Sequence, residues 1–416
     1  MIRGGRNLRG EVGIGASKNA ALPAMAAAML TAEPVRLEGV PGYKDVRTMG
    51  RILRHLGADV EESGAGVEVC AANPRSHEAP YDLVRTMRAS FFLLGPTLAR
   101  LGRARVAFPG GCAIGVRPVD LHLKGLKALG ASVEVTEGYV EARASRLRGA
   151  EVVFETSSVG ATENVMMAAC LAEGTTSISN AAREPEVVDL AELLVGMGAR
   201  ITGAGTDTVR IEGVPALHGA ARRTVPDRIE AGTFLVLSVL TGCGIAVRGA
   251  RRDHLSALEA KLQAAGVRLT EQGDVLSVSC DRRWRSADVV TQPYPGFPTD
   301  LQAQWMALMA LAEGSSVVRE TIFENRFQHV PELVRLGADI AIKGNTAVVR
   351  GVPRLTGAPV MVSDLRAGAA LVLAGLAAAG TTEVQRIYHL DRGYDRLVEK
   401  LRGVGADIER VPGPPV

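Results

Sequence analysis

Apolar and polar positions along this chain fall into a pattern that recurs six times. A short phrase appears at Leu56-Gly-Ala-Asp-Val, Leu129-Gly-Ala-Ser-Val, Met197-Gly-Ala-Arg-Ile, Ala265-Gly-Val-Arg-Leu, Leu336-Gly-Ala-Asp-Ile and Val404-Gly-Ala-Asp-Ile. Its glycines stand at 57, 130, 198, 266, 337 and 405, at spacings of 73, 68, 68, 71 and 68 residues. The chain is therefore an internal repeat of about 70 residues. In each copy the phrase closes a segment with apolar residues at helical spacing: 46–56, 119–129, 187–197, 254–265, 330–336 and 394–404. The glycine sits where a left-handed residue ends a helix. A β-branched run with period-two alternation follows, as in Ser132-Val-Glu-Val-Thr and Asp339-Ile-Ala-Ile-Lys, and predicts a strand.

Upstream in every copy lies a second helical segment that is apolar almost all round: 19–30, 89–101, 161–172, 229–240, 301–312 and 365–379. A helix without a polar face must be buried on all sides. Its many Ala, Gly and Ser residues allow close packing, which agrees with an aromatic content of only 4%. The pattern predicts an α/β protein of two domains, each made of three repeated units around three buried inner helices. The boundaries expected are 18–225 for the first domain and 1–17 plus 226–416 for the second. Pro226 marks the crossing, and the functional site is expected in the cleft between the domains.

Composition removes several classes of function. A net charge of +3 without a basic run gives no reason to expect nucleic acid. The longest apolar runs, such as 367–379, are too short to span a bilayer, and the first residues lack a hydrophobic signal core. The cysteines, at 70, 112, 170, 243 and 280, are odd in number and scattered, which argues for a reducing compartment and a cytoplasmic protein. No His spacing suits a metal, and there is no Walker-type or dinucleotide fingerprint. His122 reads as a satisfied surface or interface residue.

Chemistry concentrates in Phe108-Pro-Gly-Gly-Cys-Ala-Ile-Gly-Val-Arg-Pro-Val-Asp120. Two glycines precede the thiol of Cys112, and Arg117 follows five residues later. A neighbouring guanidinium lowers a thiol's pKa, and its planar fork suits a phosphate or carboxylate. A turn carrying an inert cysteine is the other reading of the same residues. The starts of the inner helices add Lys18-Asn19, Arg88, Ser158-Val-Gly160, Asp227-Arg228, Asp300 and Asp364-Leu-Arg366. Helix N-termini attract anions, so Lys18, Arg88, Arg228 and Arg366 gathered with Arg117 would form a site for a multiply anionic substrate. Asp300 and Asp364 also read as simple N-caps.

Several stretches together resemble one family. They are Lys18-Asn-Ala-Ala-Leu-Pro, Thr86-Met-Arg-Ala-Ser, the cysteine loop through Leu121-His122, and Ser158-Val-Gly-Ala-Thr-Glu-Asn. Asn180-Ala-Ala-Arg-Glu-Pro-Glu, Pro226-Asp-Arg-Ile-Glu and Phe297-Pro-Thr-Asp-Leu-Gln-Ala-Gln extend the match. Phe323-Glu-Asn-Arg-Phe, Asp364-Leu-Arg-Ala and Tyr388-His-Leu-Asp-Arg-Gly-Tyr complete it. The chain is similar from end to end to the UDP-N-acetylglucosamine enolpyruvyl transferases of the EPSP synthase family.

The resemblance implies the family's two-domain inside-out α/β barrel. It also implies transfer of the enolpyruvyl group of phosphoenolpyruvate to the 3-hydroxyl of UDP-N-acetylglucosamine, with loss of phosphate and no metal or organic cofactor. By the same resemblance Cys112 is the acid-side residue, open to a covalent bond with phosphoenolpyruvate and to thiol-directed inhibitors such as fosfomycin. Asp300 is the base toward the sugar hydroxyl. Lys18, Arg117, Arg366 and Arg392 hold phosphoenolpyruvate, Arg88 lies nearby, and Arg326 serves closure or positioning. The nucleotide lies along Arg117, Pro118, Val119, Asp120 and Leu121 and along Ser158, Val159 and Gly160. Asn19, Ile322 and Asp364 are further substrate contacts.

Two positions depart from the family pattern: Ala16 stands where many members have Gly, and Thr156 where some have Lys. The first implies a different local backbone, the second a missing nucleotide contact. Transfer to shikimate 3-phosphate is the neighbouring alternative, and a non-catalytic nucleotide-sugar-binding paralogue a more distant one. Oligomeric state is left open.

Overall fold

The computed structural model describes residues 1–411, other than 65, 86, 109–118 and 282. Its α/β elements group into two compact bodies. One comprises Met1–Gly15 and the chain from Pro226 onward; the other holds the described residues between Ala16 and Val225. Ala16 and Ser17, expected with the residues before them, belong to the second of these. Tyr43 Oη donates to Ala16 O at 3.0 Å, and Ser17 N to Val225 O at 2.7 Å.

The repeat reappears as six four-stranded sheets among the described residues, all with one topology. In the third copy Glu151–Val153 runs parallel to Thr175–Ser179, which pairs antiparallel with Thr208–Glu212, which pairs antiparallel with Arg200–Thr202. A parallel pair needs a helical crossover, and Val159–Ala169 supplies it here. Three sheets are completed by remote segments. Ala220–Arg223 lies parallel to Val35–Glu38, and Arg9–Gly13 lies parallel to Gly244–Arg248. Ile2–Arg3 sits between Thr381–Gln385 and Asp407–Ile408.

Helix ends explain why the glycine phrase recurs. Gly57, Gly130, Gly198, Gly266, Gly337 and Gly405 have φ of 97°, 90°, 100°, 84°, 94° and 93°. In all six copies the residue after the glycine donates its N–H to the carbonyl five residues earlier, as in Ala58 to Leu53 and Ala406 to Leu401, each at 3.0 Å. That bond closes the last helical turn, and it requires the left-handed residue that only glycine adopts without strain.

Each body is centred on three inner helices packed on one another. They are Lys18–Ala27, Leu94–Leu101 and Val159–Ala169 in one, and Arg228–Leu240, Gln302–Met309 and Leu365–Ala377 in the other. Small residues permit the approach: a Cβ on Gly95 would stand 2.3 Å from Asn164 Oδ1. The expected helix over 89–101 is instead a 3-10 segment, Arg88–Leu93, followed by the α-helix. Pro96 has no N–H for the Phe92 carbonyl, so the α-helix starts where Pro96 falls in its first turn. Short 3-10 segments likewise flank the first and fifth inner helices, at Ala28–Leu30 and Thr299–Leu301. Of the outer segments, 254–265 begins as the 3-10 turn Arg252–Leu255, and 394–404 narrows to Leu397–Gly403.

Candidate functional site

Among the expected site residues, Cys112, Arg117 and Pro118 lie outside the described residues. In the body from Ala16 to Val225, Lys18 and Asn19 open the first inner helix. A cation there opposes the helix dipole. Asp45, in the first turn of Lys44–Leu56, offsets it with a carboxylate 3.3 Å from Lys18 Nζ. Ala16, the departure beside it, is not among the residues with positive φ, so this backbone does not require glycine. Val119 precedes the helix Asp120–Ala128, whose second residue is Leu121; Asp120 is exposed at its start. Ser158 caps the helix of Val159 and Gly160, its Oγ accepting from Ala161 N at 3.3 Å.

His122 is tied into this region through Asn164. Gly95 N–H donates to Asn164 Oδ1 at 2.6 Å, so the amide nitrogen must face the other way. It donates to Phe91 O at 2.9 Å and meets His122 Nδ1 at 3.1 Å. Nδ1 is then the acceptor, and His122 carries its proton on Nε2. Burial, with the Arg88 cation adding to it, lowers the His122 pKa to about 3, which keeps the ring neutral. The ring packs edge-on to Phe91 and lies where a Cβ on Gly160 would be 3.0 Å from Cε1.

In the other body, Asp300, Arg326 and Arg366 come together. Asp300 Oδ1 accepts from Arg326 Nη2 at 3.1 Å; Oδ2 accepts from Arg366 Nε at 3.1 Å and Nη2 at 3.0 Å. Both arginines are 4% exposed. The two readings of the acidic helix starts now separate. Asp364 is a cap, accepting from Arg366 N at 2.9 Å and Ala367 N at 3.1 Å. Asp300 holds two guanidiniums and lies inside the 3-10 segment Thr299–Leu301, whose N-cap is Pro298. Burial is the largest influence on Arg366 and disfavours its charge, yet Asp300, Tyr394 and Asp227 together outweigh it and raise the pKa above the ordinary arginine value. Tyr394 and Phe323 lie under the Arg366 and Arg326 guanidiniums, at 5.7 and 5.6 Å. Arg392 ends the 3-10 helix Ile387–Arg392, and Arg228 faces the Tyr294 ring at 5.6 Å.

Three residues of this region were not expected from the sequence: Glu320, His329 and Tyr394. The signal for Glu320 was present, because alternation along Ser315–Arg319 turns Ser316, Val318 and then Glu320 inward. His329 is 1% exposed. Burial, helped by the Arg326 charge and opposed by Asp364, holds its pKa below the usual histidine value. A depressed histidine pKa contributes stability above about pH 6.5, and this is lost as acidification forces a proton onto the folded state. The melting temperature should therefore fall between about pH 7.5 and about pH 5. His329→Gln should show a smaller fall; an identical fall would remove His329 as a source.

Among the described residues no group of three or more His, Cys, Asp or Glu side chains could hold a metal ion. No helix among them is long and apolar enough to cross a membrane.

Six copies of one sheet-and-helix unit in two bodies, with Asp300 between two buried arginines, define an enolpyruvyl transferase-like architecture. The family described as EPSP synthase (3-phosphoshikimate 1-carboxyvinyltransferase) matches residues 2–401, and the chain belongs to it. It is 54% identical over 411 residues to the UDP-N-acetylglucosamine 1-carboxyvinyltransferase of Geotalea daltonii, covering 99% of each chain. With the protein of the same name from Nitratidesulfovibrio vulgaris the identity is 57% over 413 residues, 99% of this chain and 98% of the other. Among solved structures, the enolpyruvyl transferase NikO from Streptomyces tendae matches with a TM-score of 0.88 and 29% identity over 99% and 98% of the two chains. An EPSP synthase from Acinetobacter baumannii matches with a TM-score of 0.73 and 16% identity over 97% of each chain, which bears on the fold alone.

Proposed function

We propose that this chain is a UDP-N-acetylglucosamine 1-carboxyvinyltransferase, acting in the cytoplasm at the first committed step of peptidoglycan synthesis. The observation that carries the reading is full-length identity of 54% and 57% to proteins of that name. The pinned Asp300 carboxylate supports it chemically.

The acceptor's 3-hydroxyl oxygen bonds to C2 of phosphoenolpyruvate while its proton passes to Asp300. Cys112 gives a proton to the C3 methylene, which becomes a methyl group. The Cys112 thiolate then takes back a methyl proton, the C2–C3 double bond re-forms, and the C2–O bond to phosphate breaks as phosphate leaves with the proton held by Asp300. Arg326 and Arg366 fix the direction in which Asp300 presents its oxygens, and such preorganisation lowers the barrier without reorganisation during reaction. Lys18, Arg88, Arg117, Arg366 and Arg392 take the anionic groups of phosphoenolpyruvate. Pro118 to Leu121 and Ser158 to Gly160 take the uridine diphosphate, with Asn19, Ile322 and Asp364 on the acceptor. Cationic forks and helix-start N–H groups suit those oxygens.

The test is inorganic phosphate release from phosphoenolpyruvate with and without UDP-N-acetylglucosamine. Release that depends on the nucleotide sugar is expected. Release with shikimate 3-phosphate alone would move the chain to the other branch of the family, and no release with either would leave a binding protein.

A further inference from the structure

We propose that Glu320 is a positioning residue for the Asp300 site, a buried carboxylate that ties the turn carrying Asp300 to the turn carrying Ile322. Glu320 is 2% exposed and follows the strand Ser315–Arg319. Its carboxylate accepts four hydrogen bonds. Oε1 takes Thr291 Oγ1 at 2.8 Å, Ile322 N at 2.8 Å and Phe323 N at 3.2 Å. Oε2 takes Thr299 Oγ1 at 2.9 Å. Thr299 immediately precedes Asp300, while Ile322 and Phe323 lead into the segment that ends at Arg326, the partner of Asp300.

One side chain therefore ties down both the turn that carries Asp300 and the backbone at Ile322 and Phe323 that leads to Arg326. Thr291 braces the arrangement from a third direction, since its Oγ1 also accepts from Thr321 N at 2.9 Å. Only a carboxylate accepts this many bonds without presenting a donor of its own. Removing it takes away the one acceptor that these donors share, so truncation frees both turns. A shift of about 1 Å at a reacting group is enough to cost about a hundredfold in rate.

The two arms of the clamp can be cut separately. This inference rests on the reaction proposed above, so nucleotide-sugar-dependent phosphate release by the unaltered enzyme comes first. Thr299→Val cuts only the Asp300 arm, and should lower kcat about tenfold with both KM values within about twofold. Glu320→Ala cuts both arms, and should also raise the KM for UDP-N-acetylglucosamine about tenfold, leaving that for phosphoenolpyruvate within about twofold. Glu320→Gln keeps the shape and one acceptor oxygen, and should return the nucleotide-sugar KM to within about threefold of the unaltered enzyme.

A merely structural role would lower kcat in proportion to folded protein and leave every KM in place. That result in Glu320→Ala, or an unchanged kcat in Thr299→Val, overturns the proposal. If Glu320→Ala does not fold, Thr299→Val decides alone. If the unaltered enzyme releases no phosphate, the functional reading falls separately. The clamp is then read by hydrogen exchange at the Ile322 and Phe323 amides, where unchanged protection in Glu320→Ala, or in Glu320→Ser should the alanine variant not fold, overturns it.

Discussion

Cys112→Ser is expected to reduce nucleotide-sugar-dependent phosphate release by about a hundredfold or more, the range over which general acid catalysis acts. Cysteine suits the task because a thiol ordinarily titrates near the working pH, and a cation close by lowers that value further. A serine hydroxyl keeps the size but holds its proton far too tightly to deliver it, and it cannot replace the thiolate as a nucleophile toward C2. Steady-state rates with both substrates saturating give the answer, with circular dichroism to confirm that the variant is folded. Full activity would take Cys112 out of the mechanism and return it to the reading of a loop with an inert thiol. Cys112→Asp sharpens the test. A carboxylic acid can deliver a proton but is no target for thiol-directed chemistry, so this variant should retain turnover while escaping fosfomycin. An inactive Cys112→Asp protein would count against proton delivery as the residue's main task, and a still-inhibited one against its thiol as the inhibitor's target.

Asp300→Asn should be nearly as damaging, by two routes that can be measured apart. The amide cannot accept the sugar hydroxyl's proton, so kcat should fall about a hundredfold or more. The same change removes the carboxylate charge that pairs with both Arg326 and Arg366, each 4% exposed. Leaving buried cations unpaired costs about 3–5 kcal/mol when the site is fully buried. With 26% of the Asp300 side chain open to solvent the loss should be smaller, about 2 kcal/mol. Thermal unfolding reads the second route and phosphate release the first. Asp300→Asn with unaltered kcat would mean that another group takes the proton. Lost activity with an unchanged melting temperature would mean that the arginine pair is not structurally dependent on this carboxylate.

Asp300 also shows the difference between the parts of the candidate site that sequence could and could not resolve. Lys18, Ser158, Asp300 and Asp364 were recognisable because each stands at the start of an apolar helix, where a polar residue is conspicuous. What each does there was not recognisable. Asp300 and Asp364 occupy equivalent places in their repeats, yet one binds two guanidiniums and the other two backbone N–H groups. Capping is a local bond within three residues. The Asp300 cluster joins residues 26 and 66 positions away, and no local pattern encodes that distance. Glu320 joins both kinds of contact: its strand alternation turned it inward and Ile322 and Phe323 are local, but Thr299 and Thr291 lie 21 and 29 positions away.

What the sequence determined by itself is the sixfold repeat, the alternation of inner helix, outer helix and strands, and the glycine that ends each outer helix. Those features follow from helical and strand periodicity and from backbone sterics, which act over a few residues. Tertiary structure alone decided which remote strands complete the sheets, where Pro96 divides a helix, and which buried charges face one another. Those outcomes depend on contacts between segments far apart in the chain, where packing and the need to pair buried polar groups outweigh local preference.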